Sequence, residues 1–134
     1  MTQEQKDLLI KDLCTRLPYG VKVQLSYQIP LKLLSIGVNG SAWVTGDKGY
    51  PFEIDWSNCK PYLFPLSSMT EEQKKELDDI TDLDIEVAIT HIKNGTPNYL
   101  TGLNRLNWLL KNHFDIYDLI TVGLAEDATG LDIY

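Results

Sequence analysis

The spacing of apolar residues changes once in the first third of the chain, and this change constrains the fold most. Up to residue 17, apolar side chains recur at helical spacing, with Leu9, Leu13 and Leu17 on one face. Pro18 and Gly20 then favour a turn. Residues 21–27 alternate between apolar and polar types, which is typical of a half-buried strand. The sequence therefore predicts a helix over residues 1–17 that leads into a β-sheet.

The predicted first helix has a start signal and a polar side. Thr2 with Gln5 three residues later makes a capping-box pattern. Asp12 belongs to the side that we expect to face water, together with Lys6, Asp7 and Lys11. Cys14 lies among apolar residues, and we expect it to be a small buried hydrophobe. Cys14 and Cys59 are too few for a disulfide scaffold and lack zinc-site spacing.

A β meander is predicted over residues 21–64. Asn39-Gly40 is the strongest hairpin signal in the chain, because both residues tolerate positive φ. Pro61 and Pro65 limit the last strand to a sheet edge or an irregular path, since proline donates no hydrogen bond. We expect strands over residues 21–28, 31–38, 41–45, 50–56 and 60–64.

The pattern as a whole predicts an α+β fold in a single domain over residues 1–134. An N-terminal helix leads into a small bent antiparallel sheet or SH3-like barrel, and the C-terminal half, residues 68–134, is mainly helical. An open sheet with helices on one face is the structural alternative. We expect the segment 124–134 to lie extended on the body. Helices are expected from a capping box at Ser68–Glu71 or Thr70–Gln73, over 82–94 and 103–112, and after Asp115 as far as Ile120.

Length and charge exclude several functional classes. Among the 134 residues, no apolar run is long enough to cross a bilayer, and the polar start is unlike a signal peptide. We therefore expect a cytoplasmic protein. The net charge of −7 divides into +1 for residues 1–60 and −8 for residues 61–134. This balance argues against a sequence-independent grip on nucleic acid.

No catalytic constellation is visible, so we predict a non-enzymatic protein without cofactor or metal. His91 and His113 have no nucleophile at a meaningful spacing, and His113 near a helix end has a structural reason to be there. The acidic run from Asp78 to Glu86 lacks the glycine that a calcium loop of the EF-hand type requires. The glycines of the β region belong to hairpin turns and do not form a phosphate-binding motif.

The aromatic residues of the β region supply the candidate binding residues. Tyr50, Phe52 and Trp56 share one face of the predicted fourth strand with Ile54, and we expect that face to belong to the core. Trp43 has Ala42 and Val44 pointing to the opposite face, so an exposed Trp43 would mark a contact site. The candidate binding residues are Trp43, Trp56 and Tyr62.

Three stretches carry a resemblance to a known family. They are residues 9–21 (LIKDLCTRLPYGV), residues 60–73 (KPYLFPLSSMTEEQ), and residues 108–115 (WLLKNHFD) with Leu119-Ile120 and Gly123-Leu124-Ala125. The chain resembles a family of small uncharacterised proteins from gut Bacteroidetes and their phages or prophages. The resemblance implies bacterial or phage origin and cytosolic expression, and it transfers no catalytic residues.

These observations favour a protein-interaction module, whose acidic helical half would meet a basic surface on another protein. A nucleic-acid-linked regulator is the first alternative, with Trp43 beside Lys22, Lys32 and Lys48 as its contact surface. An acidic mimic of DNA, with carboxylates spaced like phosphates, is the second alternative. No membrane partner is expected.

Overall fold

A computed structural model of the protein describes residues 1–25, 29–37, 39–46, 49–80 and 104–134. The fold is α+β, with an N-terminal helix, a six-stranded mixed sheet and further helical segments. The elements are α1 Gln3–Arg16, β1 Lys22–Gln24, β2 Leu31–Ile36, β3 Ser41–Thr45, β4 Phe52–Asp55, β5 Lys60–Leu63, α2 Glu71–Asp78, α3 Asn104–Lys111 and β6 Glu126–Asp127.

The strands follow the spatial order β4-β3-β2-β1-β5-β6. All neighbouring pairs are antiparallel except β5 with β6, which is parallel. The expected hairpin between β2 and β3 is confirmed, because Gly40 has a φ of 90° and the Asn39 side chain accepts the Ser41 N–H. The first five strands lie where the sequence predicts them: β3 has the predicted bounds, and the other four are shorter. The expectations for residues 26–28, 38 and 47–48 lie outside the described residues.

Helix α1 packs on one face of the sheet, which we call the inner face. Its capping box is formed, because the Gln5 N–H donates to Thr2 Oγ1 and the Thr2 N–H donates to Gln5 Oε1. Leu9 and Leu13 are fully buried, as the helical stripe predicts. Together they build a core with Val21, Val23, Leu33, Ala42, Val44 and Cys59.

The burial of two other α1 side chains differs from the prediction. Cys14 is exposed, whereas Asp12 is fully buried instead of facing water. The reason is that α1 has a second buried side, where Asp12 and Arg16 face the chain around Phe114. A helical stripe of leucines does not reveal this second side, since the segment that covers it is about 100 residues away along the chain.

Strand β5 is an interior strand, which corrects the expectation of an edge. Pro61 is paired with Val23 of β1 and is fully buried. On the other side, Tyr62 and Leu63 pair with β6, which belongs to the C-terminal segment. The chain therefore covers this strand with its own tail, and the expectation that residues 124–134 lie on the body is confirmed.

The capping boxes decide where α2 begins. Of the two capping boxes that the sequence allows, Thr70 with Gln73 is formed. No residue of α2 is buried. Asp115 accepts the N–H groups of Leu119 and Ile120, but the residues that follow it form turns rather than the expected helix. The helix predicted over 82–94 lies outside the described residues.

The aromatic face of the fourth strand is buried only at one end. Ile54 and Trp56 pack against the core, whereas Tyr50 is 92% and Phe52 is 43% exposed. The expectation of a continuous aromatic core is therefore wrong for the first two residues. The physical reason is that β4 is the outermost of the described strands, and α1 contacts the chain at the Trp56–Asn58 turn that follows β4.

Candidate functional site

The three candidate binding residues do not come together. Trp43 is 43% exposed on β3. Trp56 is half-buried in a 3₁₀ turn and packs against the core below the sheet. Tyr62 is only 4% exposed, and burial raises the pKa of its hydroxyl. Of the three, Trp43 therefore has the most contact surface to offer.

The alternation along β3 explains why Trp43 faces outward. Ala42 and Val44, its neighbours, are fully buried against α1 and the inner core. Successive strand residues point to opposite faces, so Trp43 stands on the outer face of the sheet. This position is an interior one, because β2 and β4 flank β3 on both sides.

A bulge in β2 places a second apolar side chain on the outer face. Leu33 pairs with Val44 and Ser35 pairs with Trp43, so Leu34 is an extra residue between two adjacent partners. Leu34 and Ser35 both face solvent as a result, and Leu34 is 40% exposed. Sequence reasoning missed Leu34. The available signal was the pair Leu33-Leu34, which interrupts the alternation of the strand.

On its other side, Trp43 lies opposite Glu53 of β4. Asp55 is two residues further along β4, opposite Ser41. The Ser57 N–H and hydroxyl donate to the Asp55 carboxylate and lower its pKa, so that Asp55 is ionised at neutral pH. We call Leu34, Trp43 and Glu53 the outer patch.

The opposite end of the outer face is basic. Lys22 and Lys32 are paired across β1 and β2. Lys22 stands between the fully buried Val21 and Val23, and Lys32 precedes the buried Leu33. Like charges directly opposite each other repel. The Lys22 ammonium group relieves this by donating to the Ile133 carbonyl at 2.9 Å. The outer face therefore changes from basic at β1 and β2 to acidic at β4, with Trp43 between.

A second group of polar side chains lies inside the protein, between α1 and the C-terminal segment. Arg16 Nε donates to Asp12 Oδ2 at 2.8 Å, and Arg16 Nη2 donates to the Phe114 carbonyl at 2.6 Å. Both side chains are fully buried. Asp12 Oδ1 and Arg16 Nη1 have no hydrogen-bond partner among the described residues. Burial raises the pKa of Asp12, although Arg16 opposes that shift.

His113 sits beside this ion pair, where α3 ends. The His113 N–H donates to the Leu110 carbonyl and the Phe114 N–H donates to the Leu109 carbonyl, which is the Schellman arrangement. His113 occupies its left-handed position, with a φ of 64°, where glycine is usual. Burial, followed by the charges of Arg16 and Lys22, lowers its pKa to about 4. The imidazole is therefore neutral at pH 7.

Tyr134 covers His113 and joins two strands. The two rings are stacked with their centroids 3.5 Å apart. The Tyr134 hydroxyl accepts the Lys22 N–H at 2.9 Å and donates to the Tyr62 carbonyl at 2.8 Å, so it bridges β1 and β5. Burial raises its pKa to about 12, which keeps this donor protonated at neutral pH.

We expect Tyr134→Phe to lower the free energy of unfolding by about 1–2 kcal/mol. The substitution keeps the ring on His113 but leaves a strand N–H and a strand carbonyl without their shared partner. Urea unfolding followed by far-UV circular dichroism measures the loss. Tyr50→Phe is the matched control, because Tyr50 is 92% exposed and its hydroxyl change should leave stability unaltered. Equal stabilities of the two variants would contradict the bridging role.

The buried group connects α1, the end of α3 and the C-terminal segment. The Tyr134 ring lies over the His113 imidazole, and the described contacts of Arg16 are to protein atoms. The thiol of Cys59 lies in the core, where burial raises its pKa to about 12 and keeps it protonated. Among the described residues, no three His, Cys, Asp or Glu side chains are arranged to hold a metal ion.

Comparison of the chain with protein-family models, with curated proteins and with solved structures gave no match. Within the described ranges, no helix has both the length and the apolar character that a bilayer crossing requires. The assignment of a function therefore rests on the outer patch and on the charges around it.

Proposed function

We propose that this protein is a non-enzymatic interaction module that binds another protein through the outer patch. The observation that carries the proposal is the exposure of Trp43 on a strand whose neighbouring residues are fully buried. Tryptophan is enriched among the residues that dominate protein–protein binding energies. A cytoplasmic location and an origin in a bacterium or phage belong to the same proposal.

Two features distinguish the outer patch from scattered surface hydrophobes. Single exposed apolar residues are common and need no explanation. Here, however, a bulge adds Leu34 opposite Trp43, and the two are 40% and 43% exposed. Polar residues at these positions would satisfy the fold equally well, since neither side chain contributes to the inner core. The pair therefore supports a contact role.

The charge of the chain indicates the kind of partner. The net charge is −7, and Glu53 adds a carboxylate to the patch itself. A basic partner surface would be attracted at long range, which raises the association rate at low salt. Binding should therefore weaken as the salt concentration rises.

A comparative capture experiment tests the proposal. The immobilised full chain is compared with a Leu34→Ser/Trp43→Ser variant in lysates of the source bacterium at 50 and 500 mM salt. We expect a protein retained by the wild type at low salt and lost by about tenfold or more from the variant, because hot-spot residues contribute about 2 kcal/mol or more. Tyr50→Ser is the matched control, since it removes a more exposed aromatic outside the outer patch.

Three results would count against the proposal. The first is that the wild type and the double variant retain the same proteins. The second is that the wild type retains no protein, and the third is that the retained amount does not change with salt. Circular dichroism of the double variant establishes that its fold is intact, as expected for two exposed positions.

The nucleic-acid alternative is supported by Lys22 and Lys32 on the same face as Trp43. Lys48 lies outside the described residues. Titration with a single-stranded oligonucleotide at low salt tests it, and unchanged tryptophan fluorescence would exclude it. The acidic-mimic alternative predicts instead that the captured partner is a DNA-binding protein and that DNA displaces it.

A further inference from the structure

We propose that the partner binds as an extended segment that adds a strand to the free edge of β4, with basic and apolar residues in alternation. This inference rests on the proposed interaction function and names the chemistry of its partner. The carrying observation is that β4, among the described residues, combines an edge with no neighbouring strand, an acidic outer side and a partly exposed apolar inner side.

The hydrogen-bond pattern shows which residues of β4 face its free edge. β4 ends the strand order, and in the described ranges it pairs with β3 alone. The Trp56 N–H donates to the Gly40 carbonyl at 3.2 Å, which marks a hydrogen-bonded pair. Such pairs alternate in an antiparallel ladder, so Ile54 also points its backbone groups at β3. The N–H and C=O groups of Glu53 and Asp55 therefore point to the free edge.

The side chains of the same two residues make the outer side of this edge acidic. Residues opposite Glu53 and Asp55 on an added strand would place their side chains on that side, about 5 Å away. Asp55 is held ionised mainly by the donors of Ser57, with a smaller contribution from Lys6. Trp43, opposite Glu53, adds an aromatic face that attracts a cation. Lysine or arginine at every second position of the partner would therefore lie opposite the Glu53 and Asp55 carboxylates.

A shallow, open depression lies on the surface beside Glu53 and Asp55. Its volume is about 420 Å³. The depression is lined by Asn39, Gly40, Ser41, Glu53, Ile54 and Asp55.

The inner side of β4 indicates which residues of the partner should stand between its basic residues. Phe52 is 43% exposed and Ile54 is half-buried at the margin of the core. An added strand would place alternate side chains beside these two, where apolar residues would remove their surface from water. The partner pattern is therefore basic, apolar, basic, apolar.

A second copy of this chain does not fit the edge. In an antiparallel pair, the outward-facing residues of one β4 must exchange hydrogen bonds with the outward-facing residues of the other. Glu53 or Asp55 would then meet Glu53 or Asp55 of the other copy, or Pro51, which has no N–H to donate. Like charges directly opposite each other are unfavourable. The charges that prevent self-association thus favour a basic segment.

A peptide-binding assay tests the inference. A labelled nine-residue peptide with alternating valine and arginine is titrated with the protein at 50 mM salt, and fluorescence anisotropy measures its binding. We expect Glu53→Gln and Trp43→Leu each to weaken binding by about threefold to fivefold, and Glu72→Gln, which removes an exposed carboxylate on α2, to leave it unchanged. A peptide with glutamate in place of arginine should not bind. N-methylation of the arginine amides, which face β4 when the added strand runs antiparallel to it, should weaken binding by about tenfold or more. N-methylation of the valine amides, which face away, should be tolerated.

The possible failures are distinguishable. Equal binding of the two N-methylated peptides would overturn strand addition, and equal binding of the glutamate peptide would overturn the basic specificity. Absence of peptide binding, or a dimer that Glu53→Gln strengthens in sedimentation, would also overturn the inference. If the lysate capture still depended on Trp43 in that case, the proposed interaction function would stand without it.

Discussion

Arg16→Met should lower the free energy of unfolding by about 3–5 kcal/mol at pH 7. The substitution removes the partner of Asp12, whose side chain is fully buried, and the donor of the 2.6 Å bond to the Phe114 carbonyl. A carboxylate would then remain in the interior without its cation, which is the costly way to break a buried pair. Urea unfolding monitored by circular dichroism gives the loss.

The pair itself is not expected to be a large source of stability. Asp12 Oδ1 and Arg16 Nη1 have no partner among the described residues, so part of the cost of desolvating both charges is not recovered. The double variant Asp12→Leu/Arg16→Met should therefore regain most of the stability that Arg16→Met loses. A double variant less stable than Arg16→Met would show instead that the pair is strongly favourable.

A second ion pair within a helix serves as the control. Lys74 and Glu71 are 3.3 Å apart on the exposed surface of α2. Because solvent screens such a pair, Lys74→Met should change stability only slightly. A large effect there would mean that the assay responds to any loss of a helical charge.

The stability of the protein should also fall in acid through the protonation of His113. Burial lowers its pKa to about 4 in the folded protein, from an ordinary value of 6.5. The unfolded state therefore binds more protons between these two values, and stability decreases as the pH falls from 6.5 towards 4. Through His113, the free energy of unfolding should be about 2–3 kcal/mol lower at pH 4 than at pH 7.

His113→Asn isolates this contribution, since asparagine adopts the left-handed conformation at a helix end but does not titrate. The variant lacks the imidazole ring that stacks against Tyr134, so it should be less stable than the wild type at pH 7. The difference in free energy of unfolding between the wild type and the variant should decrease by about 2–3 kcal/mol between pH 7 and pH 4. Asp12, whose raised pKa acts in the opposite direction, is present in both proteins and cancels. A constant gap from pH 7 to pH 4 would exclude His113 as the titrating group.

Local signals in the sequence were sufficient for most elements of the fold. The change of apolar period after Leu17 located α1 and the first strand, and the Thr2–Gln5 capping box located the start of α1. For α2 the sequence left two capping boxes open, and the structure selected Thr70 with Gln73. Asn39-Gly40 located the β2–β3 turn. These features depend on residues a few positions apart, because caps, turns and periodicity act over short stretches of chain.

The candidate site was predictable only in part. The alternation around Trp43 left open which set of side chains faces outward, and the burial of Ala42 and Val44 against α1 decided it. Leu34 joined the site through a bulge that shifts pairing by one residue. The clean alternation of residues 50–56 suggested a core face, but Tyr50 is exposed because β4 has no neighbour beyond it among the described strands.

The sequence by itself determined the α+β class, the order of the elements and the acidic character of the chain. Only the tertiary structure decided that Asp12 and Arg16 are buried, that β5 is interior and that Trp43 is exposed beside Leu34 and Glu53. The physical reason is that burial depends on which segment covers a residue. For Arg16 that segment lies 98 residues away, at Phe114, and neither helical nor strand periodicity carries information over such a distance.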